Sequence, residues 1–492
     1  MKLYELDRSV FPPLISDKLA ERGIYSKHAM ILKVGSTPPP EGVSLITKND
    51  ITWTFDTNHV VGQFCNGDYY VIDSGTGVNV ISITPESILN GTRYMHGSMV
   101  NPAVNGGQGF DNYHSYYAYT HALNVAYGVN AENPLVLHSG DSLISTISLP
   151  TPTNFTEIKS AEILTVLAVA PAAGSFRPPY VGTDKTINYN KSQLNYSLLG
   201  SLEPVTGTPT LSSVESSFIH PWIDFKSNVW SGQYIHPSDN MPAYGRDIAS
   251  NTSIGAMMLH LNFTNAQKEN LMIYYTQLGI DLYNIAIGGS GWPPDGGHGQ
   301  GRKWPIMFAG LVLGDTDIQA IFSKTGDYAY NTTPISGSDL KSPLPADLLH
   351  FQEDADTFYV TSYDIARTAS GSWNPDTRSA TEPFDAENEG MPEWGIRHVT
   401  YPYADNQHWD SMYRGANGIV WQGFVLAILI MNAKVLWNHD AFFDYEKRYM
   451  AITNGDADPF GFIVSGEVAG ERSWTAFQAN MWDTYIDIYW GA

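Results

Sequence analysis

Two stretches of the chain concentrate side chains able to do chemistry. Residues 288–305 read GGSGWPPDGGHGQGRKWP and set Trp292, Asp295, His298, Arg302 and Lys303 among seven glycines. Glycine lets the main chain approach a ligand closely. The helix expected to start near Arg302 aims its positive end and two cations at this loop. The spacing is not GxxxxGK[ST] and no clear strand precedes it, so a phosphate loop is excluded. The plain alternative is a flexible surface loop. Residues 387–414 contain EWGIRHVTYPYADNQHWDSMYR, which crowds Glu393, Trp394, Arg397, His398, His408, Asp410, Tyr413 and Arg414 just before the most apolar helix. The alternative there is a hydrogen-bonded network that fastens a long loop.

Three lesser stretches accompany them. NMPAYGRD, residues 240–247, offers Asn240, Tyr244 and Arg246, or simply a helix start with Pro242. QEDADTFY, residues 352–359, offers Glu353, Asp354 and Asp356 as calcium ligands, but the EF-hand pattern is absent and a solvated acidic loop is expected. The polar and aromatic run from Arg93 to His114 either reaches a site or forms turns.

These residue types fit two reactions. β-Elimination of a uronic-acid polysaccharide needs a partner for the carboxylate, a base for the C5 proton and an acid for the leaving oxygen. Arg, His and Tyr supply such groups. Glycoside hydrolysis needs two carboxyls, and Asp295, Glu389, Glu393 and Asp410 are available. The crowding of scarce cations into two motifs favours the lyase, with an inverting glycoside hydrolase as runner-up. A carbohydrate-binding protein without turnover is favoured if these residues prove to be paired internally. No GxSxG elbow, HExxH pair or strand-linked GxGxxG occurs, which weakens esterase, zinc protease and dinucleotide readings.

Composition narrows the partners. The 492 residues carry 50 acidic and 27 basic side chains, a net charge of −23, so nucleic acid and anionic membrane are excluded as natural partners. An acidic polysaccharide or oligosaccharide held by local cations is the expected substrate, with no obligatory organic cofactor. Tyr and Trp are abundant and suit sugar rings as well as core. Cys65 is the only cysteine, which rules out an intrachain disulfide, and it reads as a small core residue ending a strand. No stretch reaches the ~20 apolar residues of a membrane span, and MKLYELDRSV has no apolar signal core. The expectation is a cytoplasmic protein, or a secreted or periplasmic one whose export signal has been removed.

The elements that must position these groups change character along the chain. Ile51–Phe55, Tyr69–Ile72, Val78–Ile83, Leu143–Ser148 and Ala161–Val169 are β-branched and aromatic, and read as strands. They predict an antiparallel β-sandwich over residues 1–170. Residues 171–235 read as an ordered Pro/Ser/Thr-rich connection with short strands. From residue 236 the period becomes helical: 247–261, 265–287, 302–313, 315–323, 418–432, 439–451 and 474–489, with long loops at 288–301, 326–346 and 365–413. The fold class predicted is α+β and multidomain, an N-terminal β-sandwich followed by a C-terminal (α/α) toroid or barrel.

With GGHGQGRKWPIMFAGLVLGD and the PEWGIRH…W…YR segment, the chain resembles the helical-toroid polysaccharide lyases of the alginate and glucuronan type, mainly over 240–490. In those lyases the sandwich usually follows the toroid; here the strand-rich half comes first. The resemblance implies His298 or His398 as base or carboxylate partner, and Tyr413 or Tyr244 as acid. Arg302, Arg397 and Arg414 would hold carboxylates. Lys303, Trp292, Trp394, His408 and Asn240 complete the expected substrate-binding set.

Overall fold

The computed structural model describes residues 42–114, 119–226, 233–242, 246–292, 297–325, 349, 351–362, 364–365, 383–395, 412–463 and 471–491. The side chains of Arg246, Met412 and Tyr413 lie outside the description. The fold is α+β.

Strands dominate up to residue 167: β1 (Val43–Lys48), β2 (Ile51–His59), β3 (Val61–Gln63), β4 (Tyr69–Ile72), β5 (Val78–Thr84), β6 (Ile88–Asn90), β7 (Arg93–Met95), β8 (Ser98–Val100), β9 (Leu135–Leu137), β10 (Ser142–Ser148) and β11 (Ile158–Leu167). One sheet runs β1-β2-β5-β9 and a second runs β3-β4-β11-β10-β8. Alternation along β2 turns Ile51, Trp53 and Phe55 inward. They meet Val71, Leu143, Leu164 and Val166 of the five-stranded sheet in one apolar cluster, and Trp53 Nε1 donates to Ser145 Oγ across it at 2.9 Å. The opposite face of the five-stranded sheet, with Met99, Ile144, Ala161 and Ile163, belongs to a larger cluster continuous with the helices. This is why β10 and β11 are buried along nearly their whole length: both faces are covered. Among the described strands, one pairing departs from the all-antiparallel expectation. β4 and β11 run parallel, with Tyr69 opposite Leu164 and Ile72 opposite Leu167.

Cys65 lies past the end of β3, half-buried in the turn before β4 rather than in a strand, and packs against the larger cluster. The connection that follows carries 3-10 turns and the short helix Leu211–Glu215 where short strands were expected.

The principal helices are Arg246–Leu259, Asn265–Ile287, Lys303–Leu313, Gln422–Ile430, Asp440–Thr453 and Ala476–Tyr489. Thr264 and Gln267 form a capping box at the start of Asn265–Ile287. That helix packs on Lys303–Leu313 so closely that a Cβ on Gly279 would sit 2.2 Å from the Pro305 carbonyl oxygen. The Gln422–Ile430 helix packs on both Arg246–Leu259 and Ala476–Tyr489. Among the described residues no helix is long and apolar enough to cross a membrane.

The stretch expected to be a solvated acidic loop is instead a buried helix, Gln352–Asp356, running into β12 (Thr357–Tyr359). β12 pairs with β13 (Pro392–Trp394), which lies inside the long loop expected at 365–413.

Candidate functional site

The end of the glycine-rich loop is anchored by its own charges. Arg302 is fully buried at the start of the Lys303–Leu313 helix. Its Nε donates to Asp224 Oδ2 at 2.9 Å, its Nη2 to Oδ1 at 3.2 Å, and its Nη1 to the carbonyls of Gln300 and His298. Trp292 Nε1 donates to the same Asp224 at 3.0 Å, and its ring stacks on Phe351 at 5.7 Å. Lys303 Nζ donates to both oxygens of Asp354, at 2.6 and 2.8 Å, and to the Trp437 carbonyl. Burial pulls the Lys303 ammonium below the ordinary lysine range, against the attraction of Asp354.

The Gln352–Asp356 helix closes the other side of the loop. Gln352 Oε1 accepts from Gly299 N and Glu353 Oε1 accepts from Gly301 N at 2.7 Å. Gln352 Nε2 reaches Asp356 and Asn417. Gly301 has φ +88°, and a Cβ there would lie 2.7 Å from Ala249 Cα, so both conformation and space require glycine. Glu353, Asp354 and Asp356 are thus bound into the fold by Gly301, Lys303 and Gln352. Among the described residues no group of His, Cys, Asp and Glu is arranged to hold a metal ion.

A second ionic group surrounds β13. Glu393 accepts from Arg414 Nη1 at 2.7 Å, from Arg448 Nη1 at 3.2 Å and from the Trp394 main-chain N–H. Arg448 continues to Asp458 through Nε and Nη2 at 2.9 and 2.8 Å. The Arg414 guanidinium lies over the rings of Trp394 and Tyr445, 5.8 and 5.9 Å from their centres.

One aromatic tract joins the two groups. Tyr445 meets Trp421 at 6.0 Å, Trp421 meets Phe442 at 5.1 Å, and Phe442 meets Trp437 at 4.8 Å. The Lys303 ammonium sits 4.1 Å from the Trp437 ring centre. Several buried polar atoms along or beside this tract have no hydrogen-bond partner among the described residues: the indole N–H groups of Trp304, Trp394, Trp421 and Trp437, Oε1 of Gln300 and Gln422, Oε2 of Glu353, and both carboxyl oxygens of Glu446. An unsatisfied buried group costs about 1–3 kcal/mol, so such a concentration calls for a polar partner. Asp224, Asp354, Glu393 and Asp458 each face a cation, whereas among the described residues no cation pairs with Glu446, and Glu353 makes its bond to a main-chain N–H. Burial raises the Glu353 carboxyl above its ordinary range and raises Glu446 well above it; Gln422 lies beside Glu446.

The expected site residues fall into three sets. Arg302 and Arg414 were expected to hold substrate carboxylates and Lys303 to bind substrate; each is buried against a carboxylate of its own chain, because in a low-dielectric interior a cation requires a paired charge. Trp292 and Trp394 are enclosed, and Asn240 uses its amide on the carbonyls of His220 and Pro221. The fold does bring Trp292, Arg302 and Lys303 together, and Trp394 with Arg414. His298 is half-buried and its carbonyl accepts from Arg302. Tyr244, Arg397, His398 and His408 lie outside the described residues, as does the Tyr413 side chain. Of the carboxyls considered for hydrolysis, Glu389 is exposed, Glu393 is paired with two arginines, and Asp295 and Asp410 lie outside the described residues. Asp224, Trp421, Trp437, Glu446 and Arg448 were not anticipated. Gln422 did carry a signal, as a polar interruption of the most apolar run; Asp224, within a Pro-rich connection, carried none.

No protein-family model, curated protein or solved structure matches the chain.

Proposed function

We propose that the protein binds and cleaves a polysaccharide along the aromatic tract of its helical half, by glycoside hydrolysis with a neutral carboxyl as the proton donor. The observation that carries this reading is the set of indole N–H groups and carboxyl and amide oxygens on one aromatic tract that find no partner among the described residues; the tract is closed to solvent, so a sugar reaches it only if it opens. Sugar rings present hydroxyls that donate and accept, and faces that lie on aromatic rings. Burial raises the carboxyls of Glu353 and, further, of Glu446, the direction a general acid needs. On one side Glu353 meets main-chain atoms of a glycine-rich loop. In the same reading the two facing sheets form a β-sandwich and the helices an (α/α) toroid.

β-Elimination of a uronate polymer is the second reading. With Arg302, Lys303 and Arg414 neutralised by Asp224, Asp354 and Glu393, it rests on Tyr244, Arg397, His398, His408 and Tyr413. The deciding experiment incubates the protein with neutral glycans and with alginate, glucuronan and pectate, following reducing ends and ultraviolet absorbance together. New reducing ends without absorbance, lost in Glu353→Gln or Glu446→Gln variants that keep the wild-type unfolding midpoint, support hydrolysis. Rising absorbance transfers the assignment to elimination. Retardation on a glycan gel with neither signal means a binding protein.

A further inference from the structure

The strand-rich half carries a second gathering of rings, and this one reaches the surface. Tyr94 on β7 touches three others: Tyr119, nearly parallel at 5.4 Å between ring centres, His121 at 4.5 Å, and Tyr127, nearly perpendicular at 5.4 Å. His121 also meets Tyr127, at 5.1 Å. His121 and Tyr127 are exposed, and Tyr94 and Tyr119 are half-buried. Leu89, exposed, pairs with Tyr94 across the hairpin of β6 and β7 and so shares its face. The three tyrosines belong to neither apolar cluster of the fold, so core packing does not account for the gathering.

A buried amide sets these rings in place. Asn124 Nδ2 donates to Ser87 Oγ at 2.9 Å and to the Tyr119 hydroxyl at 3.4 Å. Its Oδ1 accepts from the main-chain N–H groups of Ser98 and Ala126, at 3.2 and 3.3 Å. One side chain thereby ties together the approach to β6, Tyr119, β8 and the residue before Tyr127. On β7, Asn112 Oδ1 accepts from Tyr94 N at 2.7 Å. Rings fixed before a ligand arrives lose little freedom when it binds.

The polar atoms of the rings are only partly used. The Tyr119 hydroxyl lies 3.4 Å from His121 Nδ1. Among the described residues, the hydroxyls of Tyr94 and Tyr127 and Nε2 of His121 make no hydrogen bond.

Cations and sugar rings both lie against aromatic faces. A cation cage needs walls that stand apart, whereas ring centres 4.5–5.4 Å from one another leave no room between them. An anionic polymer finds no counter-charge here. Arg93, the one cation in the sequence of the hairpin, is committed to both oxygens of Asp111 and to the carbonyls of Leu149 and Pro150. A neutral sugar meets both demands, with C–H groups for the ring faces and hydroxyls for the phenols and imidazole.

We propose that Tyr94, Tyr119, His121 and Tyr127 form a binding surface for a neutral polysaccharide, sharing no residue with the helical tract. The tract is closed to solvent and this surface is open, so it can hold a polymer before the tract opens. The ligand class follows from the rings and charges and does not rest on cleavage.

Native electrophoresis in gels containing a soluble β-glucan, xylan, galactomannan or amylose, with alginate as the anionic comparison, tests it without turnover. At least one neutral polymer should retard the wild type. Tyr127→Ala and His121→Ala, both at exposed positions, should each weaken that retardation about tenfold, the order of one ring contact, at the wild-type unfolding midpoint. Phe155→Ala, an exposed ring outside the gathering, should migrate as wild type. No retardation by any neutral polymer, retardation by alginate alone, or equal retardation of wild type and both ring variants overturns the surface. If one ring variant does not fold, the other decides. Retardation as expected without new reducing ends overturns the proposed cleavage and leaves this surface standing.

Discussion

Lys303 and Asp354 meet through two hydrogen bonds, 2.6 and 2.8 Å, where neither side chain retains appreciable contact with solvent. The pair fastens the first turn of one helix to the Gln352–Asp356 helix, two elements far apart in sequence. Removing one member strands the other charge, which for buried pairs costs about 3–5 kcal/mol, whereas replacing both by apolar groups is often close to neutral. Lys303→Met should therefore lower the unfolding free energy by about that amount, and Lys303→Met with Asp354→Leu should recover most of it. Urea denaturation of the two variants checks this.

Glu353 stands next to Asp354, but burial raises its carboxyl above the ordinary range and its bond is to a main-chain N–H, not to a cation. Glutamine retains its shape and the acceptor for Gly301 N–H. Glu353→Gln should shift stability at pH 7 by less than about 1 kcal/mol, while Asp354→Asn should cost about 3 kcal/mol by leaving Lys303 without its counter-ion. Thermal unfolding of the two side by side separates them.

Glu446 sets a pH dependence of definite sign. Its folded-state pKa is raised well above the ordinary value of 4.5 by burial. The fold therefore holds the proton more tightly than the unfolded chain. Its favourable contribution is full below 4.5 and is lost as pH climbs toward the raised value. Glu446→Gln should flatten this limb and be at least as stable as wild type at pH 8. Melting curves from pH 4 to 9 measure it.

Asp458 runs the other way. Burial acts to raise its pKa, but the hydrogen bonds and charge of Arg448 prevail and hold it below 3.8. The stability it contributes is present above 3.8 and is lost as pH falls through the lowered value. Arg448→Met should remove this part of the acid sensitivity and cost stability at neutral pH, since it also deprives Glu393 of one partner. Acid titration followed by circular dichroism reports both effects.

Burial pushes the Cys65 thiol up to about 12. In the folded protein it should react with an aromatic disulfide reagent at pH 8 far more slowly than in urea, because little thiolate is present. Comparable rates in the two states would contradict the burial described.

Regular elements were legible where one residue pattern determines them. The Asn265–Ile287 helix has the bounds expected from its helical period, and Tyr69–Ile72 those expected from its β-branched and aromatic residues. Three-residue strands such as β8, β12 and β13 carry too few positions to show a period. The Gln352–Asp356 helix was misread because acidic residues ordinarily seek water. Their burial depends on Lys303, Gly301 and Asn417, which no local window contains. For the same reason the clustering of Arg302, Lys303 and Arg414 was visible in sequence while their partners were not. Cations gathered for a ligand and cations gathered for internal carboxylates have one composition, and Asp224 lies 78 residues from Arg302.

The parallel pairing of β4 with β11 has a consequence for the order of events on the ribosome. Residues 69–72 cannot acquire this neighbour until residues 164–167 have left the exit tunnel. The hairpin of β1 and β2, closed by a turn of adjacent residues, forms long before. During that interval one edge of β4 is uncovered, and it is there that a nascent chain would be open to association with another copy or to capture by a chaperone.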